Sequence, residues 1–70
     1  MSETLKFKVF CIESFKNEYS LTSSKVAEIF LKYNVLKYIE MFFDELHSYG
    51  DKFIVEDLTL YLNARGYYIN

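Results

Sequence analysis

Seventy residues with a formal net charge of −2 make one small domain, and a chain this short buries only about 60% of the surface its unfolded form exposes. With no Pro and two Gly, it has few devices for tight turns, which argues against a hairpin-rich β fold. The single cysteine, Cys11, excludes an internal disulfide. With no signal-peptide pattern and no apolar run near about 18 residues, neither secretion nor membrane insertion is supported, and a reduced cytoplasmic protein is expected.

Taken in chain order, helical periodicity appears four times. Over residues 3–18, Leu5, Val9, Ile12, Phe15 and Tyr19 recur at three- and four-residue spacing and are expected to face the core. The second helix spans 22–33. Thr22 is suited to cap it, because its hydroxyl can accept from the free N–H groups of the first turn. Leu21 and Val26 stand at the positions of a hydrophobic staple, and Val26, Ile29, Phe30 and Tyr33 form one stripe.

Asn34 serves as a left-handed exit residue, and a third helix is expected over 35–49, with Val35, Tyr38, Ile39, Phe42, Phe43, Leu46 and Tyr49 inward. Gly50 is expected to stop it, since Gly takes positive φ without a Cβ penalty. Phe53-Ile54-Val55 reads as a short extended connector. The last helix is expected over 56–65, with Glu56 and Asp57 at its N-terminal dipole and Val55, Leu58, Tyr61 and Leu62 inward. The expected fold is all-α, a compact four-helix domain with one extended connector at 53–55.

Several residues fall outside these stripes. Phe7 and Phe10 lie roughly opposite Leu5–Val9–Ile12, and Leu31, Met41 and Leu60 are similarly displaced. Single exposed apolar residues are ordinary. Two large aromatics on one secondary face suggest a binding or self-association patch, to which the tail Tyr67-Tyr68-Ile69 is expected to contribute. Seven Phe and seven Tyr also exceed what one small core uses, and such residues are enriched where proteins meet.

Charge is unevenly placed. Residues 1–35 carry five Lys and four Glu; the remainder carries Lys37, Lys52 and Arg65 against Glu40, Asp44, Glu45, Asp51, Glu56 and Asp57. The second half would therefore attract a basic surface and repel nucleic acid. Two helices meeting at Asn34 have the outline of a helix-turn-helix, but the candidate recognition helix pairs Lys37 with Glu40, Asp44 and Glu45. A DNA-reading helix needs cations there.

A catalytic apparatus is hard to assemble. His47 is the only histidine, and with Asp44 and Asp51 it makes a weak metal set. Cys11 sits in an apolar helix, where burial raises a thiol pKa and leaves it inert. Ser20, Ser23 and Ser24 surround a helix start, where serine caps. No Gly-rich phosphate loop occurs. No enzyme activity, metal or cofactor is expected.

The order of several short segments is distinctive: Phe10-Cys11-Ile12-Glu13-Ser14-Phe15-Lys16-Asn17, Leu21-Thr22, Phe30-Leu31-Lys32-Tyr33-Asn34-Val35-Leu36, Leu46-His47-Ser48-Tyr49-Gly50, and Phe53-Ile54-Val55-Glu56-Asp57. Together, over about residues 5–65, they resemble the short bacterial family catalogued as domain of unknown function 3791. That family has no established activity. The resemblance implies genes set beside a second family that looks like ADP-ribosyltransferase toxins, and so an antitoxin-like neutralising partner. The expected function is a protein-binding module engaging its partner through Phe7, Phe10, Glu40, Asp44, Glu45, Glu56, Asp57, Tyr67 and Tyr68. The alternatives are a self-associating structural domain and a DNA-binding accessory protein.

Overall fold

The computed structural model describes residues 2–69. Five helices follow one another: α1 Glu3–Tyr19, α2 Ser23–Lys32, α3 Val35–Met41, α4 Phe43–Leu46 and α5 Asp51–Ala64. There is no strand among the described residues, so the all-α expectation holds. α1 packs against α2, α3 and α5, and α5 also rests on α3. One hydrophobic cluster joins them, built from Cys11 and Phe15 of α1, Val26, Ile29 and Phe30 of α2, Val35 and Ile39 of α3, Leu46, and Ile54, Val55, Leu58 and Leu62 of α5.

The second helix forms as its sequence dictates. Thr22 has extended backbone, and its hydroxyl accepts from the Lys25 N–H at 3.1 Å. Val26, Ile29 and Phe30 are buried, and Leu21 packs on the same cluster. Asn34 turns the chain with φ 57°, and the carbonyls at this corner are satisfied from across the molecule. The Tyr61 hydroxyl donates to Tyr33 O at 2.9 Å. This bond ties the α2–α3 turn to α5, so the corner cannot swing freely.

Three expectations need correction. In α1 the inward stripe is Phe7, Cys11, Phe15 and Tyr19 with Ile12, while Leu5 and Val9 are each 48% exposed. Phe7 is therefore partly buried and packs against the core. Residues at i, i+4 and i+8 drift slowly around a helix, and this set meets α5 and Phe30 better than Leu5 and Val9 would.

The second correction concerns the helix expected over 35–49. It breaks at Phe42, whose backbone (φ −112°, ψ 29°) leaves the helical region. The stripe is too wide for one straight helix to bury. The bend puts Phe43 against Phe7 and sinks Leu46, leaving Phe42 and Tyr49 exposed.

The third concerns Phe53–Val55, which is helical and not an extended connector. Gly50 precedes α5 as its N-cap with φ −72°, so it starts a helix where a left-handed stop was expected. Ile54 and Val55 are buried in its first turns, and that burial outweighs the weak helix preference of β-branched residues. Glu56 and Asp57 consequently lie mid-helix; Asp51 is the acid of the first turn.

Helix ends are closed locally. Past α5, Gly66 (φ 88°) lets Tyr67 N–H reach Leu62 O and Gly66 N–H reach Asn63 O, each at 3.0 Å, the paired bonds of a Schellman end. After α1 the same left-handed position is filled by Ser20 (φ 53°), with Leu21 N–H returning to Lys16 O at 3.0 Å. A side chain with a Cβ is strained there, so Ser20→Gly is expected to raise stability by about 0.5–1 kcal/mol, net of the greater freedom Gly gives the unfolded chain. A higher urea midpoint with unchanged slope would show it, and a lower midpoint would contradict it.

Candidate functional site

Besides Leu5, Val9 and Phe10 of α1, Leu31 of α2 and Tyr68 of the tail, the exposed large apolar side chains lie on α3, α5 and the segments that flank α4. Met41 is 68% exposed, Phe53 and Leu60 67%, and Phe42 and Tyr49 a little over 40%. These side chains line two adjoining grooves. One is formed by Tyr49, Phe53, Asp57 and Leu60. The other runs along Tyr38, Met41, Phe42 and Tyr61, between Lys37 and Arg65.

The Tyr38–Asp57 bond joins the two grooves. The Tyr38 hydroxyl of α3 donates to Asp57 Oδ2 of α5 at 2.6 Å. The Tyr38 ring lies 4.3 Å from that of Tyr61 and 5.1 Å from that of Phe42, and Arg65 sits over Tyr61, its guanidinium carbon 3.6 Å from the ring centre. Burial first, and the hydrogen bond to Asp57 second, push the Tyr38 phenol well above its ordinary range. The aromatic floor is thus held from both α3 and α5, and the exposed side chains stand on a rigid base.

A third groove lies at the N-terminal half of α1, lined by Phe7, Phe10, Phe43, His47 and Tyr49 with Glu3 and Lys6 at its edge. Phe7 stacks near Phe10 at 6.1 Å and meets Phe43 edge-on at 5.4 Å. His47 lies flat on Phe43 at 4.5 Å, and its Nδ1 donates to Phe43 O at 2.8 Å. Tyr49 lines both this groove and that of Phe53 and Leu60, so Phe10 continues the apolar band onto α1.

The residues expected to bind are therefore divided. Phe7 and Phe10 line the groove on α1, and Asp57 lines that of Phe53 and Leu60. Glu40 is engaged within the chain, bridging to Lys8 Nζ of α1 at 2.9 Å; this bridge holds its carboxyl below the ordinary value. Asp44, Glu45 and Glu56 are exposed and enter no ion pair among the described residues. Tyr67 packs 5.3 Å from Tyr33, Ile69 leans on the core, and only Tyr68 of the tail stands out in solvent.

Sequence reasoning missed Tyr49, Phe42 and Phe53 as surface residues. The signal for Phe53 was its spacing of four and then three to Asp57 and Leu60, which aligns all three once the helix is begun at Asp51.

A model of the family described as Protein of unknown function (DUF3791) matches residues 6–65. The chain belongs to the DUF3791 family. No curated protein matches it, and no solved structure does.

In this DUF3791 chain the third groove holds the only histidine, His47, with Glu3 and Lys6 at its edge. Among the described residues there is no group of three or more His, Cys, Asp or Glu placed to hold a metal. No helix there is long and apolar enough to cross a membrane. Cys11 lies in the core away from the grooves, and burial pushes its thiol up to about 12.

That shift has a sign that can be tested. The folded thiol holds its proton above the ordinary 9.0, and Tyr38 holds its own above 10.0. Between pH 9 and 12 the unfolded chain therefore releases protons that the folded chain keeps, and stability falls as pH rises. One such group contributes at most about 1.4 kcal/mol per pH unit. Urea titrations from pH 8 to 10.5 should show this decline, and Cys11→Ala should flatten it. An equal slope in the variant would contradict the assignment to Cys11.

Proposed function

We propose that this DUF3791 chain is a protein-binding module that acts by occupying a partner, not by catalysis. The observation that carries the reading is the band of Met41, Phe42, Tyr49, Phe53 and Leu60, five large exposed apolar side chains that line two grooves joined by the Tyr38–Asp57 bond. Exposed apolar side chains gathered into grooves rimmed by polar residues mark interaction sites. Its aromatics are rigid and partly polar, which suits an interface at low entropic cost.

The finer reading is an antitoxin-like cytoplasmic partner that neutralises an ADP-ribosyltransferase-like toxin encoded beside it. The family resemblance supports it, as does charge: Asp44, Glu45 and Glu56 are exposed and unpaired near the band on α4 and α5. They suit a basic, nucleotide-binding cleft. Exposed carboxylates repel phosphate, which disfavours DNA as the direct ligand.

Co-expression with the product of the adjacent reading frame tests both levels. A co-purifying complex should protect residues 41–43 and 49–60 from hydrogen exchange, and co-expression should relieve a growth defect caused by the neighbour alone. A complex protected only on α2 would overturn the band as the interface. Failure to form a complex would overturn the toxin-partner reading.

A further inference from the structure

The groove of Tyr49, Phe53, Asp57 and Leu60 has an unusual composition: a carboxylate set between two exposed apolar side chains. Phe53, Asp57 and Leu60 follow at spacings of four and three on one face of α5. At 1.5 Å per residue, Phe53 and Leu60 are about 10 Å apart along the helix, with Asp57 between them. That separation matches the i and i+7 anchors an amphipathic helix presents to a groove.

The fold engages one carboxylate oxygen of Asp57. Its Oδ2 accepts the Tyr38 hydroxyl at 2.6 Å, which fixes the carboxylate's orientation. Among the described residues Oδ1 has no hydrogen-bond partner and Asp57 joins no ion pair. A carboxylate so placed repels an all-apolar or acidic occupant and pairs strongly with a guanidinium or ammonium shielded by apolar neighbours.

We infer that this groove takes an amphipathic helix of a partner protein, with two apolar anchors flanking an Arg or Lys that pairs with Asp57. The inference rests on the binding-module reading above and names the chemistry of its partner. A second copy of the chain is a poor occupant. Antiparallel α5 helices that match Phe53 with Leu60 of the copy place Asp57 beside the copy's Glu56, and parallel pairing places Asp57 beside Asp57. Both set acid against acid across an apolar contact.

The test uses two stapled helical peptides identical except at one position: Leu at i and i+7, with Arg or its uncharged isostere citrulline between them. Each is titrated into ¹⁵N-labelled full-length chain. The Arg peptide is expected to shift the amides of residues 53–60 saturably and to bind at least about tenfold more tightly than the citrulline peptide. Asp57→Asn should erase the difference. Tyr38→Phe, which keeps the charge, should retain a preference for Arg and guards against misfolding of the Asn variant.

Equal binding of the two peptides in the groove would overturn the cation pairing while leaving the docking surface intact. Shifts elsewhere, or none, would overturn the helical occupant; the complex with the neighbouring gene product tests the module reading separately. A concentration-dependent dimer broken by Phe53→Ala would assign the groove to a second copy, and sedimentation with anionic vesicles would assign it to a membrane surface. Either result overturns the inference.

Discussion

Replacing Phe15 by Ala is expected to remove a large share of the fold's stability at 25 °C. Phe15 is fully buried, with its ring 4.9 Å from that of Tyr19 and 5.3 Å from that of Phe30. It sits where α1 meets α2, so its removal opens a cavity that neither helix can close without moving the other. Truncating a buried Phe costs about 3–5 kcal/mol. The whole stability of a domain this size is on the order of 4–10 kcal/mol, so one side chain removes a large share. Far-UV circular dichroism and urea unfolding provide the check. A variant that unfolds cooperatively with a loss below about 1 kcal/mol would show that the core repacks around the gap. Val9→Ala, at a half-exposed site on the same helix, should cost far less.

The contrast between Phe15 and Val9 shows where sequence reading succeeds and where it stops. Both residues belong to an evenly spaced apolar stripe, and spacing alone cannot rank them. The first helix carries apolar residues on two overlapping stripes, and Cys11 decides between them. A free cysteine behaves as a small hydrophobe and is among the most buried residue types. Counting it as such selects Phe7–Cys11–Phe15–Tyr19, the stripe the protein buries.

The second helix was fully legible because capping residue, staple and stripe agree. The start of α5 was not, because Gly50 serves equally well after one helix or before the next. Only the burial of Ile54 and Val55 against α1 settles which. The break at Phe42 carries no Gly or Pro and is fixed by packing alone. The candidate site inherits these limits. Met41 and Leu60 were readable as outward residues, and Asp57 as an acid of note. Grouping them with Phe42, Tyr49 and Phe53 required both the bend and the true start of α5.

Truncating Phe53 and Leu60 together to Ala is expected to weaken partner binding by on the order of 10²–10³ fold while leaving the fold intact. Both side chains are two-thirds exposed and lie at the two ends of one groove, so neither supports the core. Stability should change by no more than about 0.5 kcal/mol. An apolar side chain central to an interface is worth about 2 kcal/mol on truncation, and two such losses multiply in the dissociation constant. Calorimetry against the co-purified partner gives the number.

Leu31→Ala supplies the control, because Leu31 is exposed to the same degree, 68%, on α2, which lends no side chain to the α3–α5 grooves. Equal losses from Leu31→Ala and the double variant would mean that exposed apolar area drives association without regard to place, and the band would lose its standing as a site. A loss confined to the double variant would mean that recognition depends on where those side chains stand, on a floor fixed by the Tyr38–Asp57 bond between α3 and α5.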